Sequence, residues 1–422
     1  MGRSILLINS GNSDTQAFLP QDGNYPPLGI VSIGTTLLHE QPDVHVRVMD
    51  GQVQSPHAIL SYIQSKRPDV VGISLYGTSY SNSIRFARAA KEVGAITIFG
   101  NDQAKTQAEM LLKNNDADYV MTADVGEFAF VRFIDFLDGK IPIQDVPKLA
   151  YLRNNSLVVN SGNEFPSDCA HYKTIMDCIP IPNRKLLDSE CWEAYRTNYL
   201  RSYKRLHPNG IRGITTINRA RGCSRYRNEC LFCGIMDLSM RFSSPEVFWK
   251  DVQAGVDQVD AEIFYEVFDS MGSAPLWVKE IANHKPKQLD YVKFFVYTQA
   301  IETTPALIES YQKMGVYRVN MGMESGDDTM LKRLKGPRDS VEQNKRAALL
   351  LRDAGITLHA SLILGAPGET QESISNTIRF ARWLVDNNCV SSIEASPLYP
   401  EFNSRAGKML ITPSFTGEMA QK

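Results

Sequence analysis

The sequence predicts an α/β protein: a doubly wound parallel sheet followed by a partial (β/α)6 barrel. Three observations carry this. Short β-branched runs alternate with stretches of helical period over the first 150 of the 422 residues. The alternation lapses from 161 to 213, and it resumes at 214 for six further units.

In the first part the strands are read as "SILLIN", "HVRVMD", "DVVGIS", "ITIFG" and "YVMTA". Ile59, Leu60 and Ile63 recur at helical spacing between two of them, and "RFARAAKEVG" stops on Gly94. "LAYLRNNSLVVNS" predicts a hairpin turning at Asn154 and Asn155, because Asn tolerates positive φ. The predicted boundaries are therefore a first α/β domain over 1–160, a linker over 161–213 with some helix near "SECWEAYRTNYL", and a barrel over 214–422. The barrel strands are "ITTIN", "EIFYEVF", "VKFFVYT", "RVNMGM", "LHASLIL" and "SSIEAS".

Composition excludes several function classes. With 43% hydrophobic and 22% charged residues and a net charge of −2, the chain predicts a globular fold with no overall bias toward nucleic acid or anionic membranes. Eighteen uninterrupted apolar residues occur nowhere, and the amino terminus lacks the apolar stretch of a secretory signal. Seven Cys, three of them clustered, suit reduced thiols in a cytoplasm better than a secreted disulfide framework. No Walker loop, G-x-S-x-G elbow or G-x-G-x-x-G is present.

The three clustered thiols are Cys223, Cys230 and Cys233 in "RARGCSRYRNECLFCGIMD", directly after the first barrel strand. Loops at the carboxyl ends of barrel strands are where such folds place chemistry. Three thiolates make a poor zinc site, whereas on a 4Fe-4S cluster they leave one iron open. A buried structural role is the competing explanation, and the flanking Arg and Gly residues speak against it. Cys169, Cys178, Cys191 and Cys389 are scattered, and all four are read as core or surface thiols. His359, in an apolar strand, is read as a satisfied inward histidine.

Residues 201–227 hold eight Lys or Arg and no acid. Either this is a solvated face, or Arg219, Arg225 and Arg227 steer an anionic substrate to the cluster mouth.

"RGC" and "CLFC", with Phe232 before the last Cys, resemble the cluster loop of the radical S-adenosylmethionine (SAM) superfamily, in the branch with an amino-terminal cobalamin-binding domain. Six residues separate the first two Cys where the family usually has three. The resemblance extends to "VFDS", where Asp269, or Glu266 in its place, would meet the amino group of SAM. In "VNMGMESGDDTMLKRLKG", Glu324 and Ser325 would face its sugar and carboxylate. In "LILGAPGET", Gly365, Pro367 and Gly368 would pass close to the adenine. Gln299 stands where the family often has Arg. "YPPLGIVSIGTTL" and "VVGISLYGTSY" resemble the first helix and the strand and loop below the corrin in a cobalamin-binding domain, without an Asp-x-His-x-x-Gly motif. "FGND" and "TADVGEFAF" replace commoner Gly-rich stretches, which narrows the room for a nucleotide tail.

The resemblance implies an enzyme that reductively cleaves SAM at a 4Fe-4S cluster. The resulting 5′-deoxyadenosyl radical would act on a small, anionic biosynthetic intermediate, with cobalamin-assisted methylation or C–C bond formation as the outcome. It implies a 4Fe-4S cluster, SAM and cobalamin as cofactors, and flavodoxin or ferredoxin as external electron donor. No nucleic acid or membrane partner is expected. Two alternatives stand beside it: a radical SAM cyclase or rearrangement enzyme without cobalamin, for example on a phosphorylated nucleoside, and a non-enzymatic iron-sulfur electron carrier. The latter has no use for a SAM-facing Asp269 and Glu324.

Overall fold

The computed structural model describes residues 2–12, 25–225, 230–234 and 239–411. The chain divides into two compact units, Met1–Thr216 with Lys250–Glu262, and Ile217–Trp249 with Ile263–Lys422.

The first unit is built on a seven-stranded sheet: β1 (Ser4–Asn9), β2 (His45–Asp50), β3 (Val70–Ser74), β4 (Ile96–Gly100), β5 (Tyr119–Met121), β6 (Leu149–Arg153) and β7 (Ser156–Val159). Their order is β2-β1-β3-β4-β5-β6-β7; the pairs from β2 through β5 are parallel, and β6 and β7 are antiparallel. Double winding follows from the alternation inside β1. Ile5 and Leu7 enter one apolar cluster while Leu6 and Ile8 enter another, so both faces must be covered. Ile59 and Ile63 of the helix Pro56–Lys66 complete one of those covers, and Ser55 caps that helix by accepting from Ala58 N at 3.2 Å. The β6–β7 hairpin turns at Asn154 and Asn155, with φ of 51° and 61°.

Residues 163–203 pack onto this sheet. Leu187 and Cys191 are part of its core, and Tyr195 donates to the buried carboxylate of Asp50. Buried Arg184 pairs with Asp251 at 2.8 Å and donates to Thr215 and Thr216, which ties 250–262 to the first unit. One cysteine expectation is corrected here. Cys169 and Cys178, read as separate thiols, form a disulfide, because the successive turns Ser167–His171 and Ile175–Cys178 bring their Cα atoms to 5.4 Å. Cys191 and Cys389 are free and buried.

The second sheet contains β8 (Ile214–Ile217), β11 (Ile263–Glu266), β12 (Lys293–Tyr297), β13 (Val316–Glu324), β14 (Thr357–Leu364) and β15 (Ser392–Pro397). A two-residue antiparallel ribbon, β9 (Ala220–Arg221) with β10 (Arg241–Phe242), interrupts the series after β8. The order β8-β11-β12-β13-β14-β15 follows the sequence, the arrangement of a partial barrel with its crossover helices on one face. Phe294 meets Phe248 and Trp249 of the helix Pro245–Val259, which fixes its parity as the helix-facing one. Among the described residues no helix is long and apolar enough to cross a membrane.

Candidate active site

The cysteine loop is closed at its base by the β9–β10 ribbon, where Arg221 pairs with Arg241. Gly222 follows with φ of 93°, and a Cβ there would come 2.4 Å from Ser239 O, so only Gly fits. Leu231 pins the far half of the loop: its N–H donates to Leu334 O at 2.7 Å, and its carbonyl accepts from Ala406 N at 2.9 Å. Leu231 is buried with Met330, Leu334, Ala366 and Ala406, and Phe232 packs against that cluster.

Cys223 and Cys233 are half-buried, Cys230 is buried, and none of the three is in a disulfide. Burial pushes the Cys223 thiol up to about 11, with Asp269, Glu302 and Cys230 adding to the shift. Cys230 is also raised by burial, partly offset by Lys335 and Arg225. Thiols so disinclined to ionise give up their protons when a cation takes them as ligands. Among the described residues no three Cys, His, Asp or Glu converge closely enough for a single metal ion. Three thiols on one loop suit an iron-sulfur cluster with one iron left open.

Around Cys223 the strand ends form a polar ring. Gln299 Nε2 lies 3.8 Å from Cys223 Sγ and 3.5 Å from Ser224 Oγ, and its Oε1 accepts from Arg225. Glu302 gathers the neighbouring loops by accepting from Ser224 at 3.0 Å, Ser270 at 2.5 Å, Ser273 at 2.6 Å and Gln299 at 3.3 Å. Of the two carboxylates expected near the amino group of SAM, Asp269 is exposed and close enough to act on Cys223. Glu266 is fully buried, its Oε1 has no partner among the described residues, and burial raises its pKa well above the usual carboxylate range.

Glu324 ends β13 in the left-handed region, φ 54°, after a register shift against β14. Its carboxylate lies against Gly322, where a Cβ would sit 2.2 Å from Oε1, and Lys335 Nζ is 3.6 Å away. Burial raises its pKa, and Lys335 offsets part of that. Gly365, φ 74°, has nothing within 4 Å of a Cβ position, whereas a Cβ on Gly368 would meet Arg333 Nη1 at 2.0 Å. Pro367 is half-buried between them. Ser325 is buried, with its hydroxyl engaged by Thr377 at 3.1 Å and by Asp327 N at 3.1 Å.

The arginines correct the expectation of an anion-steering patch. Arg219 is almost wholly buried. Arg225 is buried and donates to Asp339 at 2.9 and 2.8 Å, to Lys335 O at 2.5 Å and to Gln299. Its charge is answered inside the protein, so it is not presented to a substrate. Arg227 lies outside the described residues. Sequence reasoning missed Glu302, Lys335 and Asp339. Glu302 follows Gln299 by three positions and Lys335 lies in "LKRLKG", so proximity to a strand end was the available signal. Asp339 carried none.

In the first unit the carboxyl edge of the sheet reverses between β1 and β3, the switch point where such sheets bind ligands. Gly11 and Gly51 follow β1 and β2 and meet beside that switch point; a Cβ on Gly11 would be 1.8 Å from Gly51 O. Asn82 Nδ2 donates to Gly11 O at 3.2 Å and Asn12 O at 3.0 Å. Tyr76, after β3, is 45% exposed. Asn101, after β4, has φ of 85°, a glycine-like course that Asn tolerates.

The fold is similar to that of a radical SAM domain and a cobalamin-binding domain. Residues 217–381 match the radical SAM superfamily and residues 21–131 the B12 binding domain. The chain is 25% identical over 384 residues to an anaerobic magnesium-protoporphyrin IX monomethyl ester cyclase of Rubrivivax gelatinosus, covering 85% of this chain and 62% of that protein. Two solved structures share the fold with a TM-score of 0.73 at 16% identity. One is the cobalamin-dependent SAM radical enzyme OxsB with aqua-cobalamin and SAM bound, matching 100% of this chain and 62% of that one. The other is the radical SAM methyltransferase TsrM from Kitasatospora setae with cobalamin and a [4Fe-4S] cluster, matching 96% and 77%. The cofactors that go with these two domains are a 4Fe-4S cluster with SAM, and cobalamin.

Proposed function

We propose that the chain is a cobalamin-assisted radical SAM methyltransferase acting on a small molecule. The observation that carries this is the three cysteines on one strand-end loop, none in a disulfide, near Gln299, Glu302, Glu324 and Lys335, in a chain whose residues 21–131 match the B12 binding domain. When bound, the cluster and SAM supply a 5′-deoxyadenosyl radical and cobalamin supplies a transferable methyl group.

The chain's own part is to hold and orient. Cys223, Cys230 and Cys233 would ligate three irons. Asp269 suits the SAM ammonium better than Glu266, whose burial favours its neutral form. Glu324 would meet the ribose hydroxyls, and the open side of Gly365 leaves room for the adenine. Gly11, Gly51 and Tyr76 lie where the corrin would rest in the first unit. Ser325 would act by shaping the turn after β13.

A one-electron donor is required, and a reduced flavodoxin or ferredoxin would fill that role without nucleic acid or membrane. Ligation by three thiolates suits a reducing cytoplasm. Cyclisation without cobalamin is the second proposal, favoured by the similarity to the Rubrivivax monomethyl ester cyclase. Anaerobic reconstitution tests both. The expected result is ~4 irons per chain, 5′-deoxyadenosine formed under reduction, and a product one methyl heavier only when cobalamin is supplied. A product of unchanged mass selects the cyclase, and no 5′-deoxyadenosine under any reductant defeats both.

A further inference from the structure

The second sheet carries an apolar face and a polar one. Phe264, Phe294, Val296, Val319, Met321, Leu358 and Ala360 are buried on the helix side. Alternation sends their neighbours to the opposite, concave face, and the register stacks those in layers. Deepest lie Tyr265, Phe295 and Arg318; next come Tyr297, Asn320, His359 and Ser392; above them are Gly322, Ser361 and Glu394.

The middle layer is built for a ligand. Asn320 is 4% exposed, yet its Oδ1 has no hydrogen-bond partner among the described residues. Burying an amide oxygen without a partner costs about 1–3 kcal/mol, a penalty a ligand would relieve. His359 sits beside it, with Nδ1 2.7 Å from Ser392 Oγ and Nε2 3.5 Å from Glu394 Oε2. Burial, reinforced by Arg318, lowers the His359 pKa, and the neighbouring Glu394 offsets part of that. Tyr265 and Phe295 stack on one another at 4.5 Å with 7° between their planes, and Tyr297 adjoins Tyr265 at 5.9 Å. Arg318 lies one layer deeper, its guanidinium 5.5 Å from the Phe295 centroid, beneath the Tyr297 and Asn320 layer. Asn320 is two residues below Gly322, about 7 Å down the strand, and the Glu324 carboxylate rests on Gly322.

We infer that Asn320, Ser361 and Glu394 bind the substrate, and that the substrate presents an amine or amide to them. Asn320 Oδ1 and the Glu394 carboxylate are two acceptors on one face, so they call for N–H donors. A carboxylate or phosphate at the same place would meet Glu394 with like charge. The inference rests on the radical SAM function proposed above, since that function places the reacting carbon one layer higher, near Glu324.

The test uses the anaerobically reconstituted full chain and three probes of one shape: benzamidine, benzamide and benzoate. Ligand-observed saturation-transfer NMR should show benzamidine and benzamide bound and benzoate at least tenfold weaker. Glu394→Gln should weaken benzamidine at least tenfold and benzamide less, and Asn320→Leu should weaken both. Iron content and SAM affinity should hold in both variants, which separates a substrate role from collapse of the cofactor site. Benzoate binding as well as benzamide would overturn the inference, as would silence from all three probes or wild-type binding in both variants. The wild-type ranking decides it even if Asn320→Leu fails to fold. Loss of cluster or SAM binding in the wild type strikes instead at the proposed function, because the probe ranking is read independently of turnover.

Discussion

Replacing Asp339 by Ala leaves the Arg225 guanidinium buried without its counter-charge. Nη2 meets both carboxylate oxygens, at 2.9 and 2.8 Å, and both side chains are less than a tenth exposed. At that separation and an effective dielectric of ~20, the attraction is about 6 kcal/mol before desolvation is set against it. Deleting one partner of a buried pair typically costs ~3–5 kcal/mol, because the survivor keeps its desolvation penalty. Lys335 O and Gln299 still accept from Arg225, which places the expectation at the lower end, about 3 kcal/mol. Removing both charges, as in Arg225→Met with Asp339→Leu, should recover most of that, since apolar replacement of a buried pair is often neutral. Urea unfolding of the metal-free chain, followed by tryptophan fluorescence, reads this out. Trp249, Trp277 and Trp383 all lie in the second unit. With a slope of ~1–3 kcal/mol per M, the single variant should lose at least about 1 M in midpoint. A loss under about 0.3 M, or a double variant as weak as the two singles added together, would refute the reasoning.

Gly222→Ala should lower iron content severalfold in anaerobic reconstitution, because its Cβ meets Ser239 O at 2.4 Å in a left-handed turn; full iron content would show that the loop yields freely. Glu266 is less acidic folded than unfolded, so its contribution to stability is fully present below about pH 4.5 and is lost as pH rises through its raised folded value. Glu266→Gln should therefore gain stability over the wild type as pH rises from 5 to 8 in urea midpoints of the metal-free chain, and a constant difference would count against a buried neutral carboxyl. Asn155→Val, at φ 61°, should cost the first unit ~1–2 kcal/mol in thermal or urea unfolding, and no loss would mean that the hairpin turn relaxes without strain.

Much of this architecture was legible in sequence because its signals are local. The β1 run, the Ile59 and Ile63 spacing and the Asn154–Asn155 turn each depend on residues within one element. So did the three thiols, marked by spacing and by their place after a strand. What stayed hidden depends on partners far along the chain. Arg225 meets Asp339 across 114 positions, and no periodicity announces such a pair. The same holds for Arg184 and Asp251, which draw half of a helix toward the first unit. A basic run looked like a solvated or substrate-facing surface because charge was read without burial. The disulfide depended on two short turns meeting, which spacing alone does not dictate.

The long gap between Cys223 and Cys230 acquires a physical explanation from the same residues. Ser224 and Arg225 are the first two residues of the spacer, and neither is loose. Ser224 donates to Glu302 at 3.0 Å, and Arg225 reaches Gln299, Lys335 O and Asp339. Gln299 stands where the resemblance led us to expect a third-strand arginine, and the guanidinium that binds its Oε1 comes from the cysteine loop instead. A cation therefore reaches the strand-end ring from another segment of the chain. That exchange ties the first two spacer residues to the loop after β12 and to the end of the helix Asp328–Lys335. Shortening the spacer to the usual three residues would then remove Arg225 from the ring while leaving Gln299 and Asp339 buried, and so should cost stability rather than restore a better site.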